Sequence, residues 1–431
     1  MTGREWRNWA GNQVAHPADV VRPRSVQDVM QTLQRGVTVK CVGAGHSFTS
    51  IAVTDGVQMS LDLMQGIESV HPLPDGCSAV TVLAGTRLRA LSAALWDLGL
   101  AMTNLGDIDE QSIAGALSTG THGTGQRFGG ISTQVLALEL VTADGSIVHC
   151  SRETEPDVFD AARVGLGALG IITTVTLRCE PAYLLHAAES PATLGGTLDS
   201  LAWNDADHFE FYWFPHTDRV LTKTNTRLPG DTTKPLSRLR AFIDDDLLAN
   251  RAFEVVNRAV TRFPAAIPRV NALSSRALSG REFTDRSYRV FASTRTVKFR
   301  EMEYAVPADT VASVIREIER WLRSSGFVVA FPVEVRFAAS DDIWLSTAYG
   351  RATAYIAVHQ YHRRDHRDYF DAVESIARSV GGRPHWGKLH SMRADDFAEM
   401  YPRFEDFVAV RNRVDPDHIF GNEYLRTTLP T

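Results

Sequence analysis

Cysteine is scarce: Cys41, Cys77, Cys150 and Cys179 are the only four in 431 residues, and none sits at metal-ligand spacing. That excludes a disulfide scaffold and a cysteine zinc site, and points to reduced thiols in a cytoplasmic protein. No window approaches eighteen unbroken apolar residues, so no membrane-spanning helix is expected. The opening MTGREWRNWAGNQ lacks the apolar core of a signal peptide. Positive charge is not in excess, the net charge being -6, so nothing suggests general affinity for nucleic acid or an anionic membrane. No glycine run continues into Lys-Ser or Lys-Thr, which excludes a P-loop. Internal repeats and low-complexity tracts are also missing. What remains is an ordinary globular composition, 44% apolar and 22% charged, in a chain too long for one compact core.

To about residue 180, strand-like and helix-like segments alternate. SVQDVMQTLQRG (25–36) and TRLRALSAALWDLG (86–99) have helical apolar spacing. VTVKCVGAG (37–45) reads as a strand leading into a loop, AVTVLAG (79–85) as a strand, 134–150 as a hairpin turning at Ala143-Asp144-Gly145, and LGIITTVTLRCE as a buried strand. Further on, HFEFYWFP (208–215) is an aromatic strand, 227–237 a polar loop and 310–326 an amphipathic helix. VVAFPVEVRFAA and AYIAVHQY are strands, and the aromatic tail DPDHIFGNEYLRTTLP is too apolar to be disordered.

Five segments carry candidate chemistry. In GAGHSF (43–48) a dinucleotide fingerprint fails, because Phe48 stands where the third glycine belongs. His46 in that turn reads as exposed, and as a candidate nucleophile, ligand or attachment point. LGDIDEQSIAGALSTGTHGTG (105–125) packs glycines and hydroxyls into one run, which suits close backbone approach to phosphate oxygens or a polar ring edge. GLGALGIIT (165–173) permits close approach before a strand. In FPVEVRFA, alternation separates Glu334 and Arg336 from Val333, Val335 and Phe337; if AYIAVHQY is its neighbour, His359 could share the polar face. In RPHWGKLH, the His385-x4-His390 spacing has no acidic third ligand nearby, so no metal is expected, and Lys388 suits anion stabilisation.

These five segments, in this order, resemble the FAD-linked oxidoreductases of the vanillyl-alcohol oxidase type, in the branch of sugar-1,4-lactone oxidases and alditol oxidases. The resemblance runs from NWAGNQ to NEYLRTTLP. It implies an α+β, two-lobed chain: a PCMH-type FAD-binding domain (1–178), a cap domain with an antiparallel sheet and flanking helices (179–380) that supplies the substrate face, and a C-terminal segment (381–431) returning to the flavin. It implies FAD attached through His46, with Val42, Gly43, Ala44, Gly45, Ser47 and Phe48 around the pyrophosphate. Gly106, Asp107, Ser112, Gly115, Thr119, Gly120, Thr121, His122, Gly123, Ile172 and His385 are further cofactor-site positions. Glu334, Arg336, Lys388 and His359 are the implied substrate-site and catalytic residues.

The implied reaction is oxidation of an aldono-1,4-lactone, L-gulono-1,4-lactone or a similar sugar lactone, at a secondary alcohol, with hydride passing to flavin N5. Electrons then go to O2, which Gly106 would admit, or to an acceptor such as a cytochrome or quinone. Asp107 and His359 replace the serine and threonine of alditol oxidases, which argues against an open-chain polyol. An alditol oxidase acting on xylitol or sorbitol is the alternative, and a flavin-carrying binding protein without turnover is the rival from another class.

Overall fold

The computed structural model describes residues 5–201, 205–229, 232–237, 250–293 and 296–430. Gly230 and Asp231, in the expected polar loop, lie outside them. Around that gap Arg227 and Leu228 still belong to a strand, and Lys234 bridges Thr284.

The first part of the chain builds two sheets. A parallel three-stranded sheet joins Asp19–Val21, Val57–Met59 and Val39–Cys41. The strand expected within 37–45 is three residues long, and GAGHSF belongs to the loop it leads into. The second, six-stranded sheet is antiparallel and spans Ile67–Pro72 to Ile171–Pro181. Its hairpin pairs Val135–Val141 with Ile147–Ser151, turning where Ala143-Asp144-Gly145 predicts. Two of the expected helices are present. Val26–Leu33 is capped by Ser25, whose side chain accepts from the Asp28 amide. Leu88–Asp97 buries Leu88, Leu91 and Leu95 on one face. The C-terminal segment joins this core through Phe397, Phe407, Phe420 and Leu425.

An eight-stranded sheet follows. Its central strands run in the order His208–Trp213, Val333–Ala338, Thr353–Tyr361, Phe299–Pro307. One face is apolar. Phe211, Val333, Val335, Ile356 and Val358 pack on Val314, Ile315, Ile318 and Leu322 of the helix Val311–Ser325, and on Tyr369 and Val373 of the helix Arg367–Ser379. Because side chains alternate along a strand, the other face collects what the apolar face excludes. Register sets Tyr212 opposite Glu334, Glu334 opposite Ala357, and Ala357 opposite Glu303. Glu301 lies opposite His359, and Arg336 opposite Tyr355.

Candidate active site

Three glycine-rich runs, far apart in sequence, meet in one cleft. It is lined by Val42 to Ser47, by Ser112, Gly115, Ser118 and Thr119, and by Leu166, Gly167 and Gly170 to Ile172. The cleft encloses about 980 Å³, its open mouth included. The first two runs touch so closely that a Cβ at Gly43 would stand 2.5 Å from the Ser112 Oγ. Ser112 itself caps the helix Ile113–Ser118, accepting from the Gly115 amide at 3.3 Å. Gly45 has φ +67°, a conformation that suits glycine. Small residues and free amides along the cleft fit a phosphate-bearing cofactor.

His46 departs from the sequence expectation. It is half-buried rather than an exposed turn residue, and its ring stacks on Trp9 at 5.7 Å. Its Nδ1 is buried with no hydrogen-bond partner, although buried polar atoms nearly always find one. Burial also pushes its pKa below the ordinary value, which keeps a ring lone pair available. Beyond it the loop is stitched to the C-terminal segment: the Phe48 amide donates to the Gly387 carbonyl at 2.7 Å, and Lys388 Nζ lies 5.2 Å from the Phe48 ring centre. Phe48 therefore packs against Trp9 and Phe299 instead of lining the cleft.

The polar sheet face carries two charge clusters. In the first, Arg336 lies 3.2 Å from both Asp107 and Glu210 and contacts Glu334. Glu210 also meets Lys223 at 3.3 Å, and Tyr212 donates to Glu334 at 2.9 Å. Burial works against the Arg336 charge, but Asp107, Glu334 and Glu210 outweigh it and hold the guanidinium well above its usual pKa. Arg336 Nε donates to Glu210 Oε2 at 3.2 Å, and its Nη2 meets the Asp107 and Glu334 carboxylates as ion pairs. In the second cluster Lys388 pairs with Glu301, whose other oxygen is 3.5 Å from His359 Nε2. Here too burial opposes the ammonium, and Glu301 and Glu303 prevail and raise its pKa.

The remaining predicted positions surround these clusters. His122 Nε2 is 3.2 Å from Glu303, its ring stacked on Tyr355, and His385 is close to both His122 and Glu303. Glu303 is the acidic neighbour that the sequence around His385 does not show. His390 faces elsewhere, toward the Tyr424 hydroxyl at 2.8 Å. The His122, Glu303 and His385 ligand atoms are close enough to hold a cation. However, His385 Nδ1 accepts the Gly387 amide at 3.0 Å, so a neutral His385 carries its proton on Nε2 and offers no free lone pair. Thr121 meets Gln111 at 3.1 Å, Gly120 lies next to it in the chain, a Cβ at Gly106 would stand 3.1 Å from the His122 carbonyl, and one at Gly123 would strike the Leu105 carbonyl. These four are not among the residues that line the cleft. Lys223, Glu210, Tyr212, Glu301 and Glu303 are absent from the sequence-based site. For all but Lys223 the signal is the same alternation that marks Glu334 and Arg336: HFEFYW and FREMEY interleave polar with apolar residues.

Comparison with known proteins agrees with this geometry. A family model described as D-arabinono-1,4-lactone oxidase matches residues 175–428, and an FAD binding domain model matches residues 17–151. The chain is 42% identical to an L-gulono-1,4-lactone dehydrogenase of Mycobacterium tuberculosis, covering 98% of this chain and 99% of that one. It is 35% identical to the L-gulonolactone oxidase of Bos taurus, covering 98% of both. Cholesterol oxidase of B. sterolicum shares the fold, with a TM-score of 0.80 at 18% identity over 99% of this chain and 96% of that one. With an FAD-binding domain in front of a charged sheet face, the chain belongs to the D-arabinono-1,4-lactone oxidase family of FAD-dependent oxidoreductases.

Proposed function

We propose that the protein oxidises a secondary alcohol of an aldono-1,4-lactone, L-gulono-1,4-lactone or a close relative, and that its FAD is tethered through His46. One observation carries this reading: the loop that contains His46 is hydrogen-bonded, through the Phe48 amide, to the turn that presents Lys388, so the attachment point and the charged sheet face are held together. The unpartnered Nδ1 of a half-buried His46 supports the tether. FAD, when bound, supplies the hydride acceptor.

The residues of the chain do the rest. Arg336 and Lys388 keep their positive charges in a water-poor site, where they stabilise alkoxide character on the substrate hydroxyl. Glu334 and Asp107 hold the Arg336 guanidinium from two sides. His359 takes up the hydroxyl proton, with Glu301 behind it to balance the imidazolium. Glu210, Glu301 and Glu303 are poor bases: burial alone would raise their pKa values, but their cationic neighbours hold all three below the ordinary value. Ala357, between Glu334 and Glu303 on the sheet, is the one short side chain in that row. In this reading residues to about 178 form the cofactor lobe and those to about 380 the substrate lobe.

Anaerobic mixing with L-gulono-1,4-lactone should bleach the flavin absorbance, and xylitol should not. Bleaching by xylitol or sorbitol alone would make the protein an alditol oxidase. Re-oxidation of the bleached protein by air or by cytochrome c then identifies the electron acceptor.

A further inference from the structure

Lys40 is a buried cation that the chemistry above does not use. It lies in the strand Val39–Cys41, is 2% exposed, and lines the cleft next to the GAGHSF loop. Its ammonium donates to the carbonyls of Gly167 at 3.1 Å and Phe420 at 2.9 Å. Both partners are neutral, and two of its three N–H groups are used. Among the described residues, no carboxylate forms an ion pair with it. Cys41, next to it in the chain, and Asp415 favour its charge without pairing with it, and Arg411 opposes them. Burial therefore drags its pKa down to about 7. An ammonium taken out of water without a counter-charge is costly, and a cleft wall is where a ligand can supply one.

Lys40 also reaches the end of the chain. The Val39 amide donates to the Ile419 carbonyl at 2.8 Å. Asn422 Nδ2 donates to the carbonyls of Ser50, Ile51 and Val53 at 3.0, 3.1 and 2.9 Å. The chain on both sides of the GAGHSF loop is thus fastened to residues 419–422, and the Phe420 carbonyl is held by the Lys40 side chain.

We propose that Lys40 is the counter-charge for the pyrophosphate half of the cofactor, and that it couples filling of the cleft to docking of the C-terminal segment. This rests on the reading that the cleft takes FAD. A pyrophosphate diester brings two negative charges. Its arrival favours the protonated ammonium, so binding above neutral pH takes up a proton from solvent. The retained cation then keeps its hold on the Phe420 carbonyl.

The test uses flavin-free His46→Ala protein, in which binding is reversible, with and without Lys40→Met. ADP-ribose, which carries the pyrophosphate as a diester, and riboflavin are titrated separately by calorimetry at pH 8 in two buffers of different ionisation heat. Lys40→Met should weaken ADP-ribose by about tenfold or more, as expected for loss of a charged hydrogen-bond donor, and leave riboflavin unchanged. Proton uptake on ADP-ribose binding should vanish with it. ADP-ribose should slow proteolysis near residue 420 only when Lys40 is present. If Lys40→Met does not fold, Lys40→Arg serves instead: it should keep ADP-ribose affinity but lose proton uptake. Equal ADP-ribose affinity with and without the Lys40→Met substitution, or undiminished proton uptake in the arginine variant, would overturn the proposal. A parent protein that binds neither FAD nor ADP-ribose would overturn the FAD reading itself, and the coupling with it.

Discussion

At the scale of single residues, His46 is the most informative position. Its stacking on Trp9 fixes the ring, and its buried Nδ1 lacks a partner. Acid-denatured wild-type protein should therefore keep its yellow colour in the pellet, and His46→Ala should release the flavin to the supernatant. Flavin freed from the unmodified protein would sink the tether. Arg336 and Lys388 make a second prediction. Each holds a buried charge toward the same sheet face, and loss of one preorganised charge in such a site slows chemistry by about 10²–10³-fold. Stopped-flow flavin reduction should show that loss in Arg336→Ala and in Lys388→Ala, and near-normal reduction in both would remove them from the mechanism. Sequence alternation places Glu334 and Arg336 on one face, and adds His359 if the two strands are neighbours, which they are. It does not reveal that this face divides into two clusters, because the dividing partners come from elsewhere: Asp107 from the glycine-rich run, Glu210 from an aromatic strand, Glu301 from the strand before the long helix. A residue's face can be read locally, but its partner depends on which strands pair.

At the scale of elements, the long helix Val311–Ser325 is the clearest sequence signal and the main support of the site. Ile315 and Ile318 are wholly buried against the apolar face of the sheet whose other face carries the charges. Ile318→Ala should destabilise the cap lobe by about 2–5 kcal/mol, the usual cost of deleting a core isoleucine side chain. Arg320→Ala, on the exposed side of the same helix, should change stability by less than about 0.5 kcal/mol. Urea midpoints followed by near-ultraviolet circular dichroism separate the two, and equal shifts would mean that the helix does not brace the sheet. Helices and hairpins of this kind are legible because their periodicity is local. Strand order is not: the strand holding Tyr212 pairs with the strand holding Glu334 across more than a hundred residues of intervening chain, and no local pattern encodes that pairing. The short strand Val39–Cys41 is legible as a strand leading into a loop, but its end is not. Its apolar run extends toward the glycines, but pairing with Val57–Met59 stops at Cys41, because the next residues turn away to line the cleft.

At the scale of the whole molecule, three buried histidines tie stability to pH. Each accepts a hydrogen bond on one ring nitrogen: His208 Nε2 from the Arg227 side chain at 3.4 Å, His385 Nδ1 from the Gly387 amide at 3.0 Å, and His390 Nδ1 from the Met392 amide at 3.2 Å. A proton on that nitrogen would oppose the donor already facing it, and burial disfavours the charge as well. Burial pulls His385 down to about 3 and His208 and His390 to about 4, from an ordinary value of 6.5. These are bases whose folded pKa is depressed, so between about pH 6.5 and 4 the unfolded chain binds protons that the folded chain refuses. Stability must therefore fall as the solution is acidified through that window, by up to about 1.4 kcal/mol per pH unit for each histidine. These sites lie in different parts of the molecule: His208 on the large sheet beside Phe128, His385 behind the cleft, and His390 against Tyr424 of the C-terminal segment. Acid should thus loosen the molecule as a whole instead of releasing one part first. Urea unfolding at pH 7, 6 and 5 should give a steep loss of stability for the native chain. In His208→Gln, which keeps an acceptor for Arg227 without a titrating ring, the slope should be shallower by about one proton. An unchanged slope in that variant would mean that His208 is already charged, or exposed, in the folded protein.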